Sequence, residues 1–176
     1  MTVTTSPNRS TKAILWIVLI AYMAVLIKLI LVKKSAGYIK QHISNSIYHF
    51  SWKAIKANMR NGYFNAKPFV TIKMYIVSNM PPQYSPVSNL LGNVVGFIPL
   101  GILLPLLFPR LRSATATIFC VLLVSFCFEV FQLLTMTGVC DIDDLILNTA
   151  GGIIGYLFFL LIKKVTAPRQ AIHNFV

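Results

Sequence analysis

EVFQLLTMTGVCDIDDLILN, residues 129–148, holds every acidic residue of this 176-residue chain: Glu129, Asp141, Asp143 and Asp144. The sixteen Lys and Arg all lie outside it. Its first half closes an apolar run that begins at residue 114, in which Ser125, Glu129, Gln132 and Met136 recur at i, i+4, i+7 and i+11. That spacing puts them on one helical face, the only polar one the run has. Its second half opens with three aspartates and leads into an apolar run to residue 162, where Asp144, Asn148, Gly151 and Gly155 repeat the same spacing. The stretch therefore reads as a turn between two helices, each long enough to cross a bilayer core. An ionisable group facing lipid is costly, so the polar faces should meet inside the protein.

Composition extends this reading to the whole chain. Hydrophobic residues make up 56%, charged residues 11%, and mean hydropathy is +0.72. A soluble domain carries about 25% charged residues, so this is an integral membrane protein. The net charge of +12 could suggest nucleic acid. The basic residues sit between long apolar runs, however, where anionic lipid headgroups are the nearer partner, and no nucleic-acid partner is expected. Three cysteines form no even disulfide set and no metal-type spacing: Cys120 and Cys127 lie in an apolar run, Cys140 in a turn.

Four apolar runs are of spanning length, about 13–32, 88–108, 114–134 and 144–162. The expected fold is all-α, a single membrane domain over 1–176 built as a bundle of four transmembrane helices. Between the first two runs lies a polar insertion, 33–87, with eight basic residues and no acid. Within it Ile39, Ile43, Ile47, Phe50 and Ala54 recur at helical spacing, and Trp52 adds an interfacial ring. This predicts a basic amphipathic helix lying on the membrane, with membrane lipids as partners. Val70, Ile72, Met74 and Ile76 then alternate with polar residues in a run too short and too charged to span. Small-residue spacing at Gly151 and Gly155 predicts close approach of another helix. Pro99, Gly101 and Pro105 predict kinks in the second span.

The short loops carry Arg9 and Lys12, Arg110 and Arg112, and Lys163, Lys164 and Arg169 on one side of this bundle. Both termini are thus expected to be cytoplasmic and the acidic turn extracytoplasmic. The 33–87 insertion then also lies outside, against the charge bias, and its length weakens that rule.

The candidate polar site comprises Asn89, Asn93, Glu129, Gln132, Asp141, Asp143, Asp144 and Asn148. Asn89 and Asn93 share one face of the second span. Helix capping accounts most simply for Asp141 but not well for all three aspartates. Carboxylates and amides at a membrane boundary would also suit a divalent cation with oxygen ligands. A nucleophile paired with a base is not evident, because His42, His49 and His173 all lie outside these runs.

The runs Asn65-Ala66-Lys67-Pro68-Phe69, Asn89-Leu90-Leu91-Gly92-Asn93 through Phe97, Pro99 and Gly101, Glu129-Val130-Phe131-Gln132, and Asp141-Ile142-Asp143-Asp144 through Asn148, Gly151 and Gly155 resemble, in order and spacing, the signatures of the VanZ-like membrane proteins. The resemblance covers residues 65–160. It implies a small multi-pass bacterial membrane protein, and the family's name-giving member lowers susceptibility to the glycopeptide teicoplanin. No accepted reaction comes with it. Members often carry an Arg in the turn before the acidic motif. Here that turn is Gly138-Val139-Cys140, so if the family Arg pairs with a carboxylate the cation must come from elsewhere, with Lys67 and Arg60 as candidates. Three functions follow as expectations: a cell-envelope factor that binds lipid, a lipid-linked envelope precursor or a glycopeptide antibiotic at the outer leaflet; an intramembrane enzyme acting on a lipid-linked phosphate; or a small channel or transporter.

Overall fold

The computed structural model describes residues 8–31, 36–48, 51–77 and 86–166. Four helices are long and apolar enough to cross a membrane: α1 (Arg9–Leu31), α5 (Pro86–Leu107), α6 (Ala114–Thr135) and α7 (Ile142–Thr166). They fall on the four runs read from sequence, and the fold is all-α, with two two-residue strands among the described residues. Pro99 and Pro105 lie inside α5, which continues through both.

The insertion is not one amphipathic helix. It divides into α2 (Ala36–Tyr48), α3 (Trp52–Arg60), strand β1 (Phe64–Asn65) and α4 (Val70–Val77). The helical periodicity from Ile39 to Ala54 fails because Ser51 is extended (φ −156°, ψ 152°) and its hydroxyl caps α3 by accepting from the Ala54 N–H at 3.1 Å. Gly62, at φ 86°, then turns the chain out of α3. The apolar alternation of Val70 to Ile76 becomes the short helix α4. Phe50, His49, His173, Lys33, Lys34 and Arg169 lie outside the described residues, as do the side chains of His42 and Asn89.

α7 packs most extensively on α5, and glycines set the distance. A Cβ on Gly151 would fall on the Val94 carbonyl oxygen, and one on Gly155 on that of Ile98. From the other side, a Cβ on Gly101 would fall on the Gly152 carbonyl. Two backbones thus lie in direct contact, the arrangement that small residues permit between helices in lipid. The apolar core joins α1, α5 and α6 through Leu19, Leu26, Phe97, Leu100, Val121 and Phe128, and the Phe97 and Phe128 rings meet edge to face at 6.4 Å.

The bundle has two chemically distinct ends. At one end the Tyr156 hydroxyl donates to the Arg112 carbonyl at 2.8 Å and Trp16 packs edge-on against Phe108. This end gathers the start of α1, the turn between α5 and α6, and the last turns of α7, with Arg9, Lys12, Arg110, Arg112, Lys163 and Lys164. The opposite end gathers the acidic turn, the end of α1, the start of α5, and α3 with α4.

Candidate functional site: a carboxylate-capped junction

The two strands make the junction. β1 pairs in parallel with β2 (Cys140–Asp141), Phe64 facing Cys140 and Asn65 facing Asp141. The Cys140 N–H donates to the Tyr63 carbonyl at 3.0 Å. This register brings the 63–72 segment against the start of α7.

Three of the four acids, Glu129, Asp141 and Asp143, accept backbone N–H groups at the start of a helix. α7 begins at Ile142, and Asp141 is its N-cap, its Oδ1 accepting the Asp143 N–H at 2.9 Å. In a capping box a carboxylate of the same helix takes the cap residue's own N–H. Here Glu129, from α6, does so through Oε2 at 2.7 Å from the Asp141 nitrogen. α4 poses a different problem, because Phe69 precedes its first residue and has no side-chain acceptor. Asp143 reaches across from α7 and fills the position. Its Oδ1 accepts the Phe69 N–H at 2.5 Å, and its Oδ2 accepts those of Thr71 and Ile72 at 2.8 and 3.0 Å. A carboxylate on these free N–H groups also complements the positive end of the helix. Phe69 adopts the left-handed region (φ 65°), unusual for an aromatic residue, in making this turn.

Asp141 also accepts from the Thr71 hydroxyl at 2.5 Å and from the Asn65 amide at 3.3 Å to both oxygens. Asp143 is fully enclosed, with Glu129 at 3% and Asp141 at 7% exposure. The donors that meet Asp141 and Asp143 are neutral: backbone N–H groups, an amide and a hydroxyl. Neither Lys67 nor Arg60 is among these donors to Asp141 and Asp143.

The remaining predicted residues fall into separate contacts. Asn93 donates to Asp144 Oδ1 at 2.5 Å, tying α5 to α7. Asn148 donates to Ser125 Oγ at 2.8 Å, tying α7 to α6. Gln132 donates to the Ile30 carbonyl at 3.2 Å, tying α6 to the end of α1. The predicted side chains thus share one bundle end as a series of links between elements. Among the described residues, no group of three His, Cys, Asp or Glu side chains is gathered as a metal site. Open grooves at this end lie instead on α3, lined by Trp52, Lys53, Lys56, Ala57 and Arg60, and on α2, lined by Lys40, Ile43, Ser44 and Ile47.

Sequence reasoning missed three participants. Asn65 and Thr71 complete the Asp141 site, and Asn58 holds α3 against the bundle by donating to the Leu133 carbonyl at 3.4 Å. Of these only Asn65 lay in a run quoted as a motif.

The VanZ/LLP1 family model matches residues 19–163. Protein VanZ of Enterococcus faecium is 37% identical over 76 residues, 43% of this chain and 47% of that protein, so the match spans about half of the relative's length. No solved structure matches.

Proposed function

The chain belongs to the VanZ/LLP1 family, and on that premise we propose that it is a multi-pass protein of the bacterial cell membrane that lowers susceptibility to glycopeptide antibiotics such as teicoplanin. The observation that carries the reading is the polarity of the bundle. One end is exclusively basic in its short turns, which supports an orientation with this end and both termini towards the cytoplasm. The other end holds the capped acidic junction and, fixed beside it, the cationic helices α2 and α3. In this orientation α2 and α3 face the cell wall, where they act on lipid, lipid-linked precursor or drug at the outer leaflet. The acids on this reading are structural: they fasten the extracytoplasmic segment to the spans.

The test is expression in a susceptible Gram-positive host, with teicoplanin bound per cell and growth inhibition measured against an empty vector. Reduced binding and a higher inhibitory concentration are expected. Unchanged binding and unchanged inhibition in cells that contain the folded protein would remove the proposal.

A further inference from the structure

Sixteen basic residues and four acids leave a large imbalance, and the fold makes it local. Three of the four carboxylates are buried and the fourth, Asp144, is half-buried against Asn93. Glu129 accepts a backbone N–H, and Asp141 and Asp143 are occupied by neutral donors. Four carboxylates cannot offset sixteen cations, so the exposed α3 residues Lys53, Lys56 and Arg60 stand in a region of excess positive charge. Yet those cations are not on a loose tail. They recur at i, i+3 and i+7 on one face of α3, a spacing that lines them up along about 10 Å of helix. The helix itself is fixed by the Ser51 cap at its start and by Asn58, which is buried against α6.

The same exposed half of α3 is not purely polar. Trp52 is 76% exposed and stands at the head of the groove lined by Lys53, Lys56 and Arg60, and Met59 is exposed beside them. On α2, Ile47 is exposed near Lys40 and Ile43. Large apolar rings interleaved with cations suit the headgroup boundary, where the ring enters the acyl edge and the cation meets phosphate. Asn58 holds α3 at the last turns of α6, which is where a span leaves the hydrocarbon.

We infer that the exposed face of α3, formed by Trp52, Lys53, Lys56 and Arg60, binds the phosphate groups of anionic lipid in the leaflet at this end of the bundle. The inference deepens the function proposed above and rests on it only for which leaflet this is. The lipid supplies the missing counter-charge, and Trp52 distinguishes a lipid from a free anion, since a dissolved phosphate gains nothing from an indole.

The chain contains two tryptophans, so in a Trp16→Phe background Trp52 is the only indole reporter. The full chain in a neutral detergent is titrated with short-chain phosphatidylglycerol, with phosphatidylcholine and with inorganic pyrophosphate. Phosphatidylglycerol should shift the Trp52 emission to shorter wavelength and saturate, while phosphatidylcholine should not. A Lys53→Gln, Lys56→Gln, Arg60→Gln variant should bind about a hundredfold more weakly, as the loss of three cations near an anionic surface requires. Lys53→Arg with Lys56→Arg should bind as the parent does. If the triple variant does not fold, Lys56→Gln and Arg60→Gln alone should each weaken binding about fivefold. Equal response to both lipids, no loss in these variants, or pyrophosphate binding as tightly as the lipid would overturn the inference. A triple variant that has lost lipid but still lowers teicoplanin binding would leave the inference standing and remove its part in the proposed function.

Discussion

The Asp143 carboxylate, on α7, accepts the backbone N–H of Phe69 at 2.5 Å, 74 residues earlier in the chain. With Thr71 and Ile72 it forms the cap that α4 lacks. Asp143→Asn keeps one acceptor oxygen but turns an N–H₂ group towards the Phe69 N–H or towards those of Thr71 and Ile72. A hydrogen bond to a charged group contributes about 1.5–3 kcal/mol, and the variant should lose about that much stability. The lesion should be local, with the 65–77 segment becoming sensitive to trypsin at Lys73 before the spans unfold; Lys67 is shielded by Pro68. Thermal melting in detergent with timed proteolysis checks this, and a variant with parental melting and cleavage would falsify the capping role.

Glycine substitutions should split by position. Gly155→Ala places a methyl group on the Ile98 carbonyl oxygen. The two helices must then separate, at a cost of about 1–3 kcal/mol, the usual range for overpacking. Gly92, on the opposite, exposed face of α5, has open space where its Cβ would be. Gly92→Ala should therefore be neutral or stabilising by up to about 1 kcal/mol, from helix propensity alone. Melting temperatures of the two variants in one detergent decide it, and equal effects would mean that α5 and α7 are not in backbone contact.

The contrast shows what sequence can carry. Spans follow from length and hydropathy, which are local, and Gly151 with Gly155 is a spacing within one helix. The division of the insertion at Ser51 is less visible, because the apolar recurrence from Ile39 to Ala54 passes across it. The partners of the acids are less visible still. Asn65 and Thr71 lie 76 and 70 residues from Asp141. Nothing local in either residue marks it as a donor to a carboxylate; the pairing exists only once β1 and β2 are in register. Three aspartates exceed what α7 alone needs: Asp141 caps α7, and Asp144 accepts from Asn93. Asp143 caps α4.

Cys140 offers a pH-dependent reading of the junction. Burial, with the negative charges of Glu129 and Asp141 as lesser contributions, raises its thiol from 9.0 to about 11. A raised thiol pKa means that the proton is held more tightly in the folded state, so at neutral pH the reactive thiolate is about a hundredfold scarcer than for an ordinary cysteine. In a Cys120→Ser, Cys127→Ser background, iodoacetamide should label Cys140 slowly at pH 7.5. The rate should climb about tenfold per pH unit and level off only near pH 11. Adding Glu129→Gln removes one of the two charges and should move the plateau to lower pH. A plateau near pH 8.5 in the folded parent would mean that the turn is open to water.

The Ser125–Asn148 contact links α6 and α7 one turn deeper than the acids, at 2.8 Å between Oγ and Nδ2 with both side chains buried. Hydrogen bonds between membrane helices are weaker than their surroundings suggest, about 0.6 kcal/mol on average and up to about 1.7, because separated helices find other partners. Ser125→Ala and Asn148→Ala should each destabilise the protein, and Asn148→Ala the more, since it removes the larger side chain from a packed site. The informative quantity is the coupling between them. A double-mutant cycle read by chemical denaturation in detergent should return about 0.5–1.5 kcal/mol. A coupling of zero would assign the pair to packing alone, leaving the link between α6 and α7 at this end to Glu129 and the Asp141 N–H.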